Sequence, residues 1–378
     1  MKIGLVLDDS LDKTDGVQQY VLTLGHYLKR SGHTVHYLVG QTERTDLANV
    51  HSLSRNLQVH FNQNRMSTPL PASSRKIKQL LEREQFDVLH VQMPYSPWLA
   101  GRIIKQAPST TAVIGTFHIV PFSKLEARAT RLLGLSLRRN LRRFDEVVSV
   151  SEPAAAFAKH SFRMRSVVVP NAVNLSAFHT GKRIKRYNDG KVTIVFLGRL
   201  VERKGCFYLL KALVSLHAKN YLDNVRVIIC GKGPQAKSLE AYVQDHHLGQ
   251  HVHFTGYLHE TDKPDYLASA DIAVFPSTGG ESFGIVLVEA MATVPGIVLG
   301  GDNVGYRSVL QPHPEQLINP SDTVALAKTL RHYIRSKPAR ERAMRWQRAA
   351  AQQYDINKVG ETLLGIYQQA LQRRQNMQ

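Results

Sequence analysis

The feature that most constrains the fold is a series of short, unbroken apolar segments separated by helical patterns. IGLVL at 3–7, VHYLV at 35–39, LQVHF at 57–61, VLHV at 88–91, AVIGTF at 112–117, EVVSV at 146–150 and SVVV at 166–169 are rich in β-branched residues. Continuous rather than alternating hydrophobicity fits strands covered on both faces, as in a parallel sheet. Between the first two runs, Val17, Tyr20, Val21, Leu24 and Leu28 recur at helical spacing, and Ser31-Gly32 closes the segment. That is one βαβ unit, and its repetition predicts a doubly wound α/β fold.

A second series begins after the polar, basic stretch GKRIKRYNDGK at 181–191, with VTIVFLG at 192–198, VRVIIC at 225–230, DIAVF at 271–275 and GIVL at 296–299. The intervening stretch lacks periodicity and carries Gly, Asn and Asp, so the boundary is expected there. The reading is an N-terminal Rossmann-like domain over 1–172, a linker over 173–189 and a C-terminal Rossmann-like domain over 190–358, facing a central cleft. A basic helical pattern runs from Pro338 to Gln372, and its end, about 360–378, is expected to pack back on the first domain. With 378 residues and 43% hydrophobic content the chain can build two cores.

Cys206 and Cys230 are the only cysteines and both sit in apolar segments, which argues against a disulfide framework and a structural zinc site. The apolar start of MKIGLVLDD ends after five residues, too short for a secretory segment, and no later run approaches the ~20 residues needed to span a bilayer. A cytoplasmic protein with at most peripheral membrane contact is expected. The net charge is +19, and residues 55–143 hold 15 Lys and Arg against 4 Asp and Glu, which places +11 of it in under a quarter of the chain. That imbalance implies a negative partner: nucleic acid, anionic lipid or a phosphorylated small molecule.

Ligands of doubly wound sheets bind at strand ends, so the loops after the strands are where chemistry is sought. After VTIVFLG come Arg199 and Lys204, with Gly205 permitting the turn between them and the next helix. Alone, these read more readily as ordinary cations of a solvated loop. After VRVIIC come Gly231-Lys232-Gly233-Pro234, a tight turn that allows backbone to approach a ligand. The strongest fragment follows DIAVF: Gly279-Gly280-Glu281-Ser282-Phe283-Gly284, then a helical pattern carrying Glu289 about two turns in. A helix N-terminus offers unpaired N–H groups to phosphate, while a carboxylate accepts hydrogen bonds from vicinal sugar hydroxyls. The competing reading makes Glu281 a cap and leaves Glu289 facing solvent.

Taken together and in order, FLGRLVERKG, the GKGP turn, FTGY at 254–257, the Glu281/Glu289 pair and VVPNAVN at 168–174 resemble the family-4 retaining glycosyltransferases of GT-B architecture. DGVQQYVLTLGHYLKRSGH at 15–33, DVLHVQMPYSP at 87–97, GTFH at 115–118 and VVSVSE at 147–152 extend the resemblance over nearly the whole chain. It implies that Arg199 and Lys204 hold a donor diphosphate, Glu289 the ribose, Glu281 the transferred sugar, and backbone near Tyr257 the base. Gly231, Gly233, Ser282, Phe283 and Gly284 complete the donor site. His118 is expected beside the sugar, and Gly16 to let the first loop approach the donor. Breaking a sugar–phosphate bond leaves a diphosphate anion, which fixed cations and N–H groups can stabilise. The sequence has no Asp-x-Asp triplet, so chemistry without a metal or other cofactor is expected, and the family's usual proposal is front-face attack by the acceptor with the leaving phosphate as base. NAVN at 171–174 and ATVPGIVLGG at 292–301 depart from the family's commoner Asn-Gly-Val-Asp and Ala-x-Gly-x-Pro-Val-Val.

Within the family, ESFGIVLVEAMA followed by GDNVGYRSVL at 301–310 most resembles the phosphatidylinositol mannosyltransferases. The charge distribution points the same way. Arg75, Lys76 and Lys78 open one helical pattern, and Lys124, Arg128 and Arg131 continue into Arg138, Arg139, Arg142 and Arg143 along a leucine-rich second one. A basic amphipathic face suits an anionic bilayer, although such a run is also what a solvated face looks like. Three functions therefore follow. The first is a peripheral-membrane enzyme moving a hexose, as mannose from GDP-mannose, onto an inositol phospholipid. The second is a soluble family-4 transferase using a UDP-hexose and a non-lipid acceptor, or a GT-B nucleotide-sugar epimerase. The third, a nucleic-acid-binding protein, lacks recognition motifs and leaves the carboxylates unexplained, so no nucleic-acid partner is expected.

Overall fold

The computed structural model describes the chain except residues 13, 14, 62, 63, 71, 122, 123, 377 and 378 and the side chains of 57–61, 64–69, 124, 125 and 127. It divides into two units, Met1–Ala172 with Ile356–Gln378, and Val173–Asp355.

The first unit runs β1 (Lys2–Leu7), α1 (Gly16–Arg30), β2 (Thr34–Val39), β3 (Val50–Ser52), β4 (Asn56–Phe61), β5 (Asn64–Pro69), α2 (Ser74–Glu84), β6 (Val88–Gln92), α3 (Leu99–Gln106), β7 (Ala112–Phe117), α4 (Lys124–Leu141), β8 (Glu146–Ser149), α5 (Glu152–Phe162) and β9 (Val167–Val168). Seven strands form one sheet in the order β3-β2-β1-β6-β7-β8-β9, and every neighbouring pair is parallel. The continuous apolar runs of β1, β6 and β7 are buried along their lengths because helices cover both faces. Ile77, Leu80 and Leu81 of α2 share one core with Ile103 and Ile104 of α3, and Leu137 and Leu141 of α4 share another with Phe157 and Phe162 of α5. Tyr20, Val21, Leu24 and Leu28 of α1 pack in a third with Val359, Leu363 and Tyr367 of the C-terminal helix. Capping follows side-chain chemistry: Ser151 Oγ accepts from the Ala154 N–H at 3.3 Å, and Ser73 Oγ from that of Lys76 at 3.4 Å.

The second unit holds α6 (Leu175–His179), β10 (Val192–Leu197), α7 (Cys206–His217), β11 (Val225–Cys230), α8 (Ala236–Asp245), β12 (Val252–Gly256), α9 (Lys263–Ala268), β13 (Ile272–Phe275), α10 (Ile285–Thr293), β14 (Ile297–Gly301), α11 (Val304–Leu310), β15 (Leu317–Ile318), α12 (Thr323–Arg335) and α13 (Lys337–Ala351). Its parallel sheet has the order β12-β11-β10-β13-β14-β15. The chain moves outward from β10 to β12, then returns to start again at β13, so the loops after β10 and β13 flank the point where strand order reverses. The final helix, α14 (Ile356–Gln375), belongs to the first unit.

Three expectations differ from this structure. LQVHF, read as a strand of the parallel sheet, is β4 of a separate two-stranded antiparallel sheet with β5, paired from Asn56–Pro69 to Phe61–Asn64. Residues 173–189, read as a linker, are folded into the second unit, which ends at Asp355: Arg183 pairs with Asp271 at 3.0 Å, and the Lys182 N–H donates to Asp265 Oδ1 at 2.8 Å. The helical pattern from Pro338 is two helices, because a 3-10 turn at Gln352–Tyr354 separates α13 from α14.

Candidate active site

The loops at the C-terminal ends of β10, β11, β12 and β13 collect most of the residues singled out above. After β10 the chain passes Arg199, makes a 3-10 turn at Glu202–Lys204 and enters α7 through Gly205, whose φ is 73°. A β-carbon there would lie 1.9 Å from the Pro276 carbonyl oxygen, so the absence of a side chain lets this loop close on the one after β13. The Thr278 N–H donates to the Arg203 carbonyl at 2.8 Å and joins the two loops. On the other side, the Leu200 N–H donates to the Lys232 carbonyl at 3.0 Å, and the Gly231 N–H to that of Gly256 at 2.8 Å. Gly231 (φ 153°) also admits no β-carbon, since one would meet the Gly198 carbonyl at 1.8 Å. Four consecutive strand ends are thus tied into one backbone framework.

Glu281 stands at the middle of it. Its Oε1 accepts from Lys204 Nζ and Arg203 Nη1, each at 2.8 Å, and lies 2.8 Å from Ser277 Oγ. The carboxylate is nearly enclosed. Burial alone would push its pKa up, but Lys204, then Arg203, and the hydrogen bonds from Lys204 and Ser277 more than offset this and hold it below the ordinary carboxylate range. The alternative reading, in which Glu281 is only a helix cap, fits poorly, because the N-cap position of α10 is Gly284 and no side chain caps it.

Glu289, for which a solvent-facing position was the competing reading, is buried in α10. Its pKa is raised by burial, with Lys263 pulling the other way and Glu260 adding to the rise. Lys263, at the start of α9, is paired with Glu260 at 2.7 Å. α10 is buried on nearly every side from Leu287 to Thr293. Ser282 is half-buried and Tyr257 is partly exposed beside His259, with ring centroids 5.6 Å apart. The Phe283 side chain is turned into the core against Tyr354, so what this residue offers a ligand is backbone. Arg199 is half-buried and Gly233 begins the turn into α8.

Asp302 and Arg307 of GDNVGYRSVL pair with each other at 2.5 and 2.8 Å. Asn303 caps α11 through the Tyr306 N–H at 3.0 Å and donates to the Ser277 carbonyl at 3.1 Å. This motif supports the Glu281 loop from behind. Arg203 and Ser277 were not among the sequence-derived candidates. The only signal for Arg203 was its place beside Lys204 in ERKG, and nothing in a run of cations tells which one turns inward.

Gly16 and His118 belong to the first unit. Gly16 is the exposed first residue of α1. His118, at the end of β7, is buried, with Nε2 2.7 Å from Gln92 Oε1 and its ring edge-on to Tyr20. Burial pushes its pKa down to about 3, with Asn171 pulling weakly upward, so the ring is neutral near pH 7. Arg75, Lys76 and Lys78 are exposed on α2, and Lys78 lies 3.7 Å from Glu82. Arg128 and Arg131 are exposed on α4; the side chain of Lys124 lies outside the described residues. Arg143, read with the basic face, is half-buried and donates to the carbonyls of Pro108 and Thr111. Among the described residues, one group of His and acidic side chains brings metal-ligating atoms together: His36, His51 and Glu84, in the first unit. Its carboxylate is already engaged by Arg83 at 2.9 Å and Lys2 at 3.5 Å. No helix among the described residues is long and apolar enough to cross a membrane.

Residues 14–177 match the family described as Glycosyltransferase Family 4, and residues 179–353 the one described as Glycosyl transferases group 1. The chain is 30% identical over 381 residues to the phosphatidyl-myo-inositol mannosyltransferase of Mycobacterium tuberculosis, covering 97% of both chains. It is 22% identical to the alpha-monoglucosyldiacylglycerol synthase of Streptococcus pneumoniae, over 80% of this chain and 71% of that protein. Among solved structures, Anabaena HepE in complex with UDP has the same fold, with a TM-score of 0.72 at 16% identity, covering 98% of this chain and 100% of that one. The chain is therefore a glycosyltransferase, and it belongs to the family-4 enzymes of GT-B architecture that include the phosphatidyl-myo-inositol mannosyltransferases.

Proposed function

We propose that the protein transfers a hexose, with retention of anomeric configuration, from a nucleotide sugar to a lipid at a membrane surface, and that the pair is GDP-mannose and phosphatidylinositol. The observation that carries the chemistry is the convergence of Lys204, Arg203 and Ser277 on one oxygen of Glu281 at the reversal point of the second sheet. Three donors fix the carboxylate through Oε1, and Oε2 is assigned to hydroxyls of the transferred sugar. Lys204, with N–H groups beyond the one on Glu281, and Arg199 take the donor diphosphate, assisted by the N-terminus of α10.

In the reaction the bond from the anomeric carbon to the phosphate oxygen breaks and the diphosphate leaves with its electron pair. The acceptor hydroxyl bonds to that carbon from the same face and passes its proton to the leaving phosphate. Lys204 and Arg199 stabilise charge that grows only as the bond breaks, which is where fixed cations raise the rate. Glu289 takes the ribose, and backbone near Tyr257 the base. Gly16 and the neutral His118 are assigned to the sugar side from the first unit, and no metal or other cofactor is assigned to the chemistry. The acceptor reading is supported by the lipid named for the mannosyltransferase relative and by the exposed Arg75, Lys76 and Arg128 of the first unit.

A panel of nucleotide sugars tests the donor: the protein is incubated with GDP-mannose, UDP-glucose and UDP-galactose, and nucleoside diphosphate release is measured. Release from GDP-mannose well above the other two is expected. Preference for a UDP-sugar would replace the mannosyl reading with a different hexosyl transfer.

A further inference from the structure

Beside α4 lies a cavity of about 510 Å³ that is open to solvent, walled by α4, the segment entering β8, the end of α5 and the segment entering β9. It lies at the edge of the first sheet where strands begin, opposite the strand ends followed by the loops of Gly16 and His118. Its lining includes five arginines: Arg131, Arg138, Arg142, Arg163 and Arg165. His160 adds a sixth basic side chain. Among the described residues, none of the five makes an ion pair with a carboxylate. The two acids of the wall are already neutralised from behind: Asp145 lies 2.6 Å from Arg374 and 3.3 Å from Arg143, and Glu146 lies 2.9 Å from Arg373. All five are exposed, and together they make one strongly positive patch that draws anions. Guanidinium also matches phosphate oxygens bidentately.

Exposed apolar side chains accompany these cations in the sequence. Leu132 and Leu135 of α4 are 69% and 54% exposed, and Arg131, Leu135, Arg138 and Arg142 form one stripe at three- and four-residue spacing. Two residues past Arg165, Val167 and Val168 form an edge strand whose side chains are also exposed. A phosphate site for a free metabolite or for nucleic acid gains nothing from exposed aliphatic side chains, whereas a bilayer receives them into its interface while its headgroups meet the cations. We propose that this cavity binds the phosphate headgroup of an anionic phospholipid and anchors the first unit to the bilayer at a place separate from the acceptor site. The inference deepens the membrane-surface reading above and rests on it.

The test is sedimentation of the full-length protein with phosphatidylcholine vesicles with and without phosphatidylglycerol, comparing wild type, R138S/R142S/R165S and the charge-matched control R342S/R345S/R348S on α13. Each interfacial cation is worth roughly fivefold in partition, so the cavity triple should bind anionic vesicles on the order of a hundredfold more weakly. The control should stay within roughly fivefold of wild type, the worth of a single such cation. Nucleoside diphosphate release from the donor reports that each variant is folded. L132S/L135S, which alters exposed side chains alone, should also weaken binding. Equal losses in the two triples would reduce the effect to bulk charge and overturn the proposal, as would wild-type affinity in the cavity triple. Loss of binding to a DNA duplex in the cavity triple, with vesicle binding unchanged, would assign the cavity to nucleic acid and overturn it too. If wild type makes mannosyl lipid on vesicles that the cavity triple binds normally, only the anchor falls; if wild type neither binds vesicles nor transfers to lipid, the membrane-surface reading itself falls.

Discussion

Lys204→Ala removes one of three donors from Glu281 Oε1 and, on the proposed mechanism, one of two cations that meet the departing diphosphate. The two consequences have different sizes. Arg203 and Ser277, both at 2.8 Å, still hold the carboxylate, so the loss of stability is limited to about 1–2 kcal/mol. At roughly 2–4 °C per kcal/mol for a unit of this size, melting falls by less than about 8 °C. The rate depends on charge developing in an enclosed site, where removing one stabilising donor costs about 3–4 kcal/mol, or between a hundredfold and a thousandfold in turnover. The assay is nucleoside diphosphate release at saturating donor, beside a thermal melt. A pH signature accompanies it: Lys204 is the strongest influence opposing burial at Glu281, so its removal lets that carboxyl titrate at higher pH and moves the acid limb of turnover upward. Turnover within about threefold of wild type, or an unmoved acid limb, would refute the placement of Lys204 and Glu281 in the chemistry.

Glu281→Ala should lower turnover by about two orders of magnitude or more while leaving Arg203 buried without its carboxylate, so melting should also fall by several degrees; unchanged activity and stability together would contradict the geometry. Acidification should destabilise the first unit. Burial pushes His90 and His118 down to about 3, so below about pH 6.5 the unfolded chain takes up protons that the folded chain refuses, and stability is lost as pH falls. Asp8, pushed up to about 6 by burial, opposes this between about pH 4 and 6 and cancels one of the two protons. Urea unfolding should show a net loss on the order of 2–3 kcal/mol between pH 6.5 and 5, and a flat or rising stability would count against buried neutral histidines. R75S/K76S/K78S should weaken binding to anionic vesicles on the order of a hundredfold at low salt, because each cation contributes roughly 1 kcal/mol near the surface. Raising salt from about 0.05 to about 0.5 M should reproduce that loss in wild type with little further effect on the variant; salt-independent binding would make these cations a solvated face.

What was legible in the sequence follows the physics of burial. β1, β6, β7, β10 and β11 are covered on both faces, and their unbroken apolar runs say so. LQVHF carries the same local signal, yet its partner is the antiparallel strand β5, and the identity of a strand's partner leaves no mark in the periodicity of that strand. Residues 173–189 looked like a linker because they lack periodicity, but they are held by an ion pair and backbone hydrogen bonds, which hydrophobic patterning does not record. The division between α13 and α14 was hidden because both are basic and helical; only the 3-10 turn at Gln352–Tyr354 separates them. In the candidate site, the meeting of Lys204 with Glu281 was accessible through strand-end logic and family motifs. Arg203 was not, since its burial depends on the closure of the β10 loop on the β13 loop. The cluster of five arginines around one cavity is likewise tertiary: Arg163 and Arg165 follow α5 and meet the α4 stripe only in the folded unit.

Product analysis of a single reaction tests the transfer of mannose to phosphatidylinositol. The protein is incubated with GDP-mannose and vesicles containing phosphatidylinositol, and the lipid fraction is examined by mass spectrometry and by NMR of the anomeric proton. A phosphatidylinositol heavier by one hexose is expected, with the α-linkage of the donor retained, formed in step with GDP release. A β-linked product, or GDP release with no sugar on the lipid while a soluble acceptor is glycosylated, would contradict it.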